Sequence, residues 1–143
     1  MTKASNEIIV NVFGKEGCVK CTVLNRRVDK LLSEERFSKF RKKYHDVMTE
    51  EGLVPFCLAQ CLNPSRIPAM LISRRLADGR EEYLTNPAFG VTDALCGDSK
   101  LYQYLGLQTD YSDEGKGVIT PEMVASILES ALLACAEEVP ANA

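Results

Sequence analysis

Apolar positions come in short bursts along this chain, and their spacing changes character several times. In residues 8–13 (IIVNVF), Ile8, Val10 and Val12 alternate with Ile9, Asn11 and Phe13. β-branched residues at a period of two, apolar on both sides, predict a strand buried on both faces. Gly14 and Gly17 break it. From about Val19 the period lengthens. Leu24, Val28, Leu31 and Leu32 share one helical face, and Arg26, Arg27 and Lys30 lie off it, so a helix is expected to about Ser33. Residues 44–49 read as a second strand. Gly52-Leu-Val-Pro55 reads as a turn into a short helix with Pro55 near its first position, ending before Asn63-Pro64.

The later pattern predicts a strand at residues 69–73, a turn at Asp78-Gly79 and a returning strand at 81–84. Residues 86–119 are less regular and too long for a bare loop in a compact domain. Within them, 99–105 reads as a short helix, with Leu101, Tyr104 and Leu105 on one face. Thr120-Pro121-Glu122 has the chemistry of a helix start: a hydroxyl cap, proline at the first position, and an acid in the first turn. Met123, Ile127, Leu128, Ala131 and Cys135 form the buried stripe of that last helix. The order is strand, helix, strand, helix, strand, strand, helix. It predicts an α/β fold that opens on a parallel strand pair and adds an antiparallel hairpin.

Composition narrows the function classes. With 143 residues, 45% apolar, the chain is long enough for a real core. A net charge of −3 argues against a nucleic-acid or anionic-membrane partner. No apolar run approaches the ~20 residues of a spanning helix. The opening MTKASNE lacks the apolar core of a secretory signal, so a cytoplasmic location is expected, where thiols stay mostly reduced.

Six cysteines are many for such a chain: Cys18, Cys21, Cys57, Cys61, Cys96 and Cys135. Cys18 and Cys21 fall at the junction of the first strand and first helix. There a sulfur meets unpaired backbone N–H groups and a partial positive charge, and Lys20 and Lys15 add cations. Such surroundings favour thiolate over thiol. Cys21 lies about one turn deeper, within disulfide reach. The arrangement suits reversible dithiol–disulfide chemistry, Cys18 attacking and Cys21 resolving, with no cofactor. Metal ligation and inert packing are the competing readings of the pair.

The segment Val12-Phe13-Gly14-Lys15-Glu16-Gly17-Cys18-Val19-Lys20-Cys21 resembles the strand-to-active-site segment of glutaredoxins. Arg66-Ile67-Pro68-Ala69-Met70-Leu71-Ile72 resembles the segment in which thioredoxins and glutaredoxins carry a cis-proline. Cys18 and Pro68 stand 50 positions apart, close to the spacing of that fold. The resemblance is to the thioredoxin-like superfamily and covers residues 8–84 plus the last helix. It implies a single thioredoxin-like domain over residues 1–143, with a four-stranded mixed sheet flanked by helices and an insert at about 86–119. It implies Cys18 as nucleophile, Cys21 as resolving thiol and a cis Pro68 against the dithiol. Lys15, Ile67 and Pro68 are the expected substrate contacts, the Ile67 backbone pairing with an extended substrate. The implied activity is a thiol–disulfide oxidoreductase acting on protein or small-molecule disulfides, recharged by a reductase or by glutathione. Between the two cysteines stand Val19-Lys20 where the family usually has a proline, and the chain has no Trp.

Cys57 and Cys61 share a helix face at i and i+4. They are read as buried thiols, as an auxiliary redox pair by analogy with some thioredoxins, or as joint ligands with Cys18 and Cys21 of a zinc ion or iron–sulfur cluster. The last reading makes the protein a non-catalytic metal-binding module. Cys96 and Cys135 read as structural, and His45, the lone histidine, as solvated.

Overall fold

The strand read from residues 8–13 forms the middle of the sheet. The computed structural model describes residues 7–59, 66–86, 93–97, 99–101, 103–112 and 117–137. In it β1 (Glu7–Gly14) pairs in parallel with β2 (Phe40–Asp46) and antiparallel with β3 (Ala69–Arg75). Its alternation is realised as expected. Ile8, Val10 and Val12 pack with Leu24, Val28 and Ile127, and Phe13 packs on the other face with Phe56, Leu71 and Leu101. Each such buried side chain contributes about 1.5–3 kcal/mol, which makes burial on both faces the main force holding the strand central.

The helices divide between the two faces. The first helix, α1 (Val19–Leu32), links β1 to β2 and buries Cys21, Leu24, Val28 and Leu31. The last, α3 (Pro121–Glu137), packs with α1 in the same core, burying Met123, Ile127, Leu128 and Ala131. Its predicted cap is present: the Met123 N–H donates to Thr120 Oγ1 at 3.1 Å. Between them in sequence, α2 (Glu50–Ala59) contributes Phe56 to the opposite cluster.

The outer edge of β3 is covered in two pieces. Its second half pairs with β4 (Glu81–Tyr83) and its first half with β5 (Gly106–Gln108), both antiparallel. The sheet order is β2-β1-β3-β4, the four expected strands, and β5 adds a fifth short strand from within the insert. The turn between β3 and β4 carries the expected chemistry: Gly79 has φ 90° and the Arg80 N–H donates to Asp78 Oδ1.

Three local expectations differ from what forms. The second strand begins at Phe40 and ends at Asp46, earlier than residues 44–49. Its charged residues suit an edge strand, where Lys42 pairs with Asp29 and Lys43 with Glu81. The Gly52–Pro55 segment is helix, not turn. Thr49 caps it, accepting from the Gly52 N–H at 3.1 Å, so Pro55 falls inside α2. Gly52 is required there because a Cβ would strike the backbone of Asp46. Finally, the described residues of 99–105 form no helix: Lys100 bridges to Leu107 and Tyr104 to Thr85. Leu101 and Leu105 consequently enter the two different core clusters.

Candidate active site

At the end of β1 the chain turns through Lys15, Glu16 and Gly17, whose φ of 81° takes glycine's left-handed conformation, and enters α1 at Cys18. Cys18 is the N-cap of the helix, with extended dihedrals (φ −97°, ψ 113°). Its Sγ accepts a hydrogen bond from the Cys21 N–H at 3.1 Å, and its carbonyl accepts from the Thr22 N–H at 3.1 Å. The sulfur thus stands where serine or aspartate oxygens normally satisfy the first-turn donors. Cys18 and Cys21 are joined as a disulfide with Cα atoms 5.2 Å apart. The two sulfurs differ in access. Cys18 is half-buried, whereas Cys21 is only 1% exposed.

Two clefts flank the pair. One, of about 200 Å³, runs between the start of α1 and the end of the insert, where Val19, Lys20 and Val23 face Pro68, Val118 and Ile119. Arg27 spans it, donating from Nη1 to the Ile119 carbonyl. The other, of about 320 Å³, lies between α1 and β2, where Lys15, Glu16 and Cys21 meet Asn25, Tyr44 and Asp46. Burial, then the Asp46 and Glu16 carboxylates, push the Tyr44 hydroxyl above the ordinary tyrosine value.

The Ile67–Pro68 peptide is cis and Pro68 is buried. The insert holds this segment in place. Thr109 donates from Oγ1 to the Pro68 carbonyl at 2.6 Å, Arg66 Nε donates to the Thr109 carbonyl at 2.7 Å, and the Tyr111 hydroxyl donates to the Ile67 carbonyl at 2.5 Å. No motif marks Thr109, Tyr111 or Tyr44, and each reaches the site through pairing distant in the chain.

Of the residues singled out, Cys18, Cys21 and Pro68 gather at one end of the sheet. Lys15 lines the cleft on the β2 side, away from the cleft that Pro68 lines. Cys57 is exposed on α2, not buried, and Cys61 lies outside the described residues. Among the described residues, no three Cys, His, Asp or Glu side chains gather as metal ligands do. His45 is not a freely solvated residue. Its ring stacks on Phe13 at 4.8 Å, and Nε2 lies 2.9 Å from Asn11 Oδ1. Asn11 Nδ2 already donates to the Leu71 carbonyl and Ser73 Oγ, so the amide oxygen accepts and the Nε2–H tautomer is selected.

A mixed sheet with helices on both faces, a disulfide at the junction of β1 and α1 and a strand inserted before the last helix define a thioredoxin-like fold bearing a dithiol–disulfide couple. No family model and no curated protein matches the chain. Among the described residues, no helix is long and apolar enough to cross a membrane.

Proposed function

We propose that the protein is a thiol–disulfide oxidoreductase whose nucleophile is Cys18 and whose resolving thiol is Cys21, within a single domain spanning residues 1–143. The Cys18 thiolate attacks one sulfur of a substrate disulfide. That bond breaks, and the departing substrate sulfur leaves as a thiolate and takes a proton. Cys21, deprotonated, then attacks Cys18 Sγ, the second substrate sulfur leaves, and the Cys18–Cys21 disulfide forms. Two electrons and two protons pass to the substrate. A dithiol supplied by a reductase, or glutathione, restores the reduced pair, as a cytoplasmic setting would allow.

The observation that carries this reading is the N-cap position of Cys18. The Cys21 N–H already directed at its sulfur serves equally well as donor to a thiolate. The sealed position of Cys21 supports the division of labour, because an external disulfide reaches Cys18 first. Pro68 and the backbone of Ile67 form the docking wall for an extended substrate, and Lys15 contributes a cation beside the dithiol. These assignments follow from resemblance to thioredoxin- and glutaredoxin-like proteins.

The test is the pH dependence of iodoacetamide reaction at Cys18 in the reduced protein, followed by insulin-disulfide reduction. Alkylation is expected to reach half its maximal rate well below the ~8.5 of an ordinary thiol. Cys18→Ser is expected to abolish turnover, and Cys21→Ser to stop it at a mixed disulfide. Alkylation of Cys18 only above about pH 8.5, like a free thiol, overturns the reading.

A further inference from the structure

Cys21 must become a thiolate to expel the substrate, yet burial penalises the charged form of a sulfur. Something next to it has to stabilise that charge. Tyr44, Asp46 and Gly14 project from neighbouring strands onto the face that α1 covers, since Tyr44 pairs with Val12 and Asp46 with Gly14. Gly14 leaves an opening there. A Cβ at that position would stand 2.8 Å from the Tyr44 hydroxyl, 3.0 Å from Cys21 Cβ and 3.1 Å from Cys21 Sγ. The hydroxyl and the buried sulfur therefore crowd the same point, in contact with the cleft between α1 and β2.

We propose that Tyr44 donates a hydrogen bond to the Cys21 thiolate during the resolving step, and that the adjoining cleft is the route by which the Cys21 proton leaves. The inference rests on Cys21 being the resolving thiol. In the mixed disulfide the Cys21 S–H bond breaks, its proton passing to water in the cleft and on to solvent. The sulfur keeps the electron pair, held by the Tyr44 O–H. It then attacks Cys18 Sγ, the bond from Cys18 to the substrate breaks, and the substrate sulfur leaves as a thiolate.

The charges around the hydroxyl suit a donor. Lys15 and Glu16 face it from the turn after β1, Asp46 from β2, and the uncharged Thr22 and Asn25 from α1. Burial and the two carboxylates keep the phenol protonated. Lys42, the cation two residues earlier on β2, is taken up by Asn25 and Asp29.

In a background carrying Cys57→Ser, which removes the exposed thiol of α2, and Cys61→Ser, Ellman's reagent separates the two steps, because Cys18 releases the first thionitrobenzoate and Cys21 the second. In Tyr44→Phe the first release should run at the wild-type rate. The second should slow about tenfold, since a hydrogen bond to a charged group is lost, and its pH profile should move to higher pH. A second release unchanged in rate and in pH profile overturns the proposal. Gly14→Ala, whose methyl would press on both the hydroxyl and the sulfur, should slow the same phase; a wild-type second phase there counts equally against it. Loss of the first release in the wild type, or an ordinary-thiol pH profile for it, would instead count against Cys18 as nucleophile.

Discussion

The hydroxyl of Tyr111 donates to the carbonyl oxygen of Ile67 at 2.5 Å, so a side chain from the insert occupies the backbone group beside Pro68. If that backbone is where an extended substrate docks, Tyr111 competes for the carbonyl. Tyr111→Phe should then lower KM for a peptide disulfide by about 2–10-fold, the value of one hydrogen bond, with Cys18 alkylation unaltered. A KM that stays the same or rises would mean that Tyr111 is part of the docking wall and not a competitor.

Cys96 and Cys57 should behave as opposites towards alkylation. Burial, with Asp93 next in effect, pushes the Cys96 thiol up to about 11, and its side chain is 4% exposed. Cys57 is exposed. A brief iodoacetamide pulse at pH 8, read by peptide mass spectrometry, should label Cys57 and leave Cys96 untouched. Equal labelling would show that the insert opens on the timescale of the pulse.

His45 gives stability a pH dependence. Burial, then Lys43, lowers its value below the ordinary histidine range, so the unfolded chain binds the proton more readily than the folded one. The contribution is complete above about pH 6.5, the unfolded value, and is lost as pH falls through the lowered folded one. Melting temperature should drop more steeply between pH 7 and 5 in the wild type than in His45→Gln. Parallel curves would remove His45 as the cause.

Asn11 is 3% exposed in the central strand and holds three partners: the Leu71 carbonyl, Ser73 Oγ and His45. Asn11→Ala strands these groups in the interior. The expected loss is about 1–3 kcal/mol in urea unfolding, the cost of leaving a buried polar group unpaired. A smaller loss would mean that water enters to replace the amide.

Gly52→Ala tests sign more than size. In a solvent-exposed helix interior the change stabilises by about 1 kcal/mol. Here the new Cβ would stand 2.6 Å from Asp46 N and closer still to its carbonyl, with backbone that cannot rotate away. Overpacking should win, giving a net loss of about 1–3 kcal/mol. A stabilised variant would show that α2 can slide along β2 without cost.

The elements that could be read in advance share a physical feature. The alternation of β1, the apolar stripe of α1, the Asp78-Gly79 turn and the Thr120 cap each depend on residues within a turn or two of one another. The same holds for the sulfur of Cys18 at the start of α1, since a glycine turn before an amphipathic run places it there. Where the structure departs from the local pattern, a neighbour outside the segment decides. Charged β2 is a strand because β1 pairs with it along its whole length, and Lys100 and Tyr104 are drawn into bridges, not a helix, where β3 offers an edge to the residues that follow.

The two cysteines three positions apart, the strand before them and the helix after them are local facts, and they place the dithiol without reference to the rest of the chain. The hydroxyl at Cys21, the Tyr111 bond to Ile67 across 44 positions and the Thr109 bond to Pro68 across 41 are of another kind. They arise when strands and insert pack, and a contact between distant positions leaves no period along the chain. Which groups surround the sulfurs is therefore a product of packing, while the sulfurs' own placement is a product of local backbone geometry.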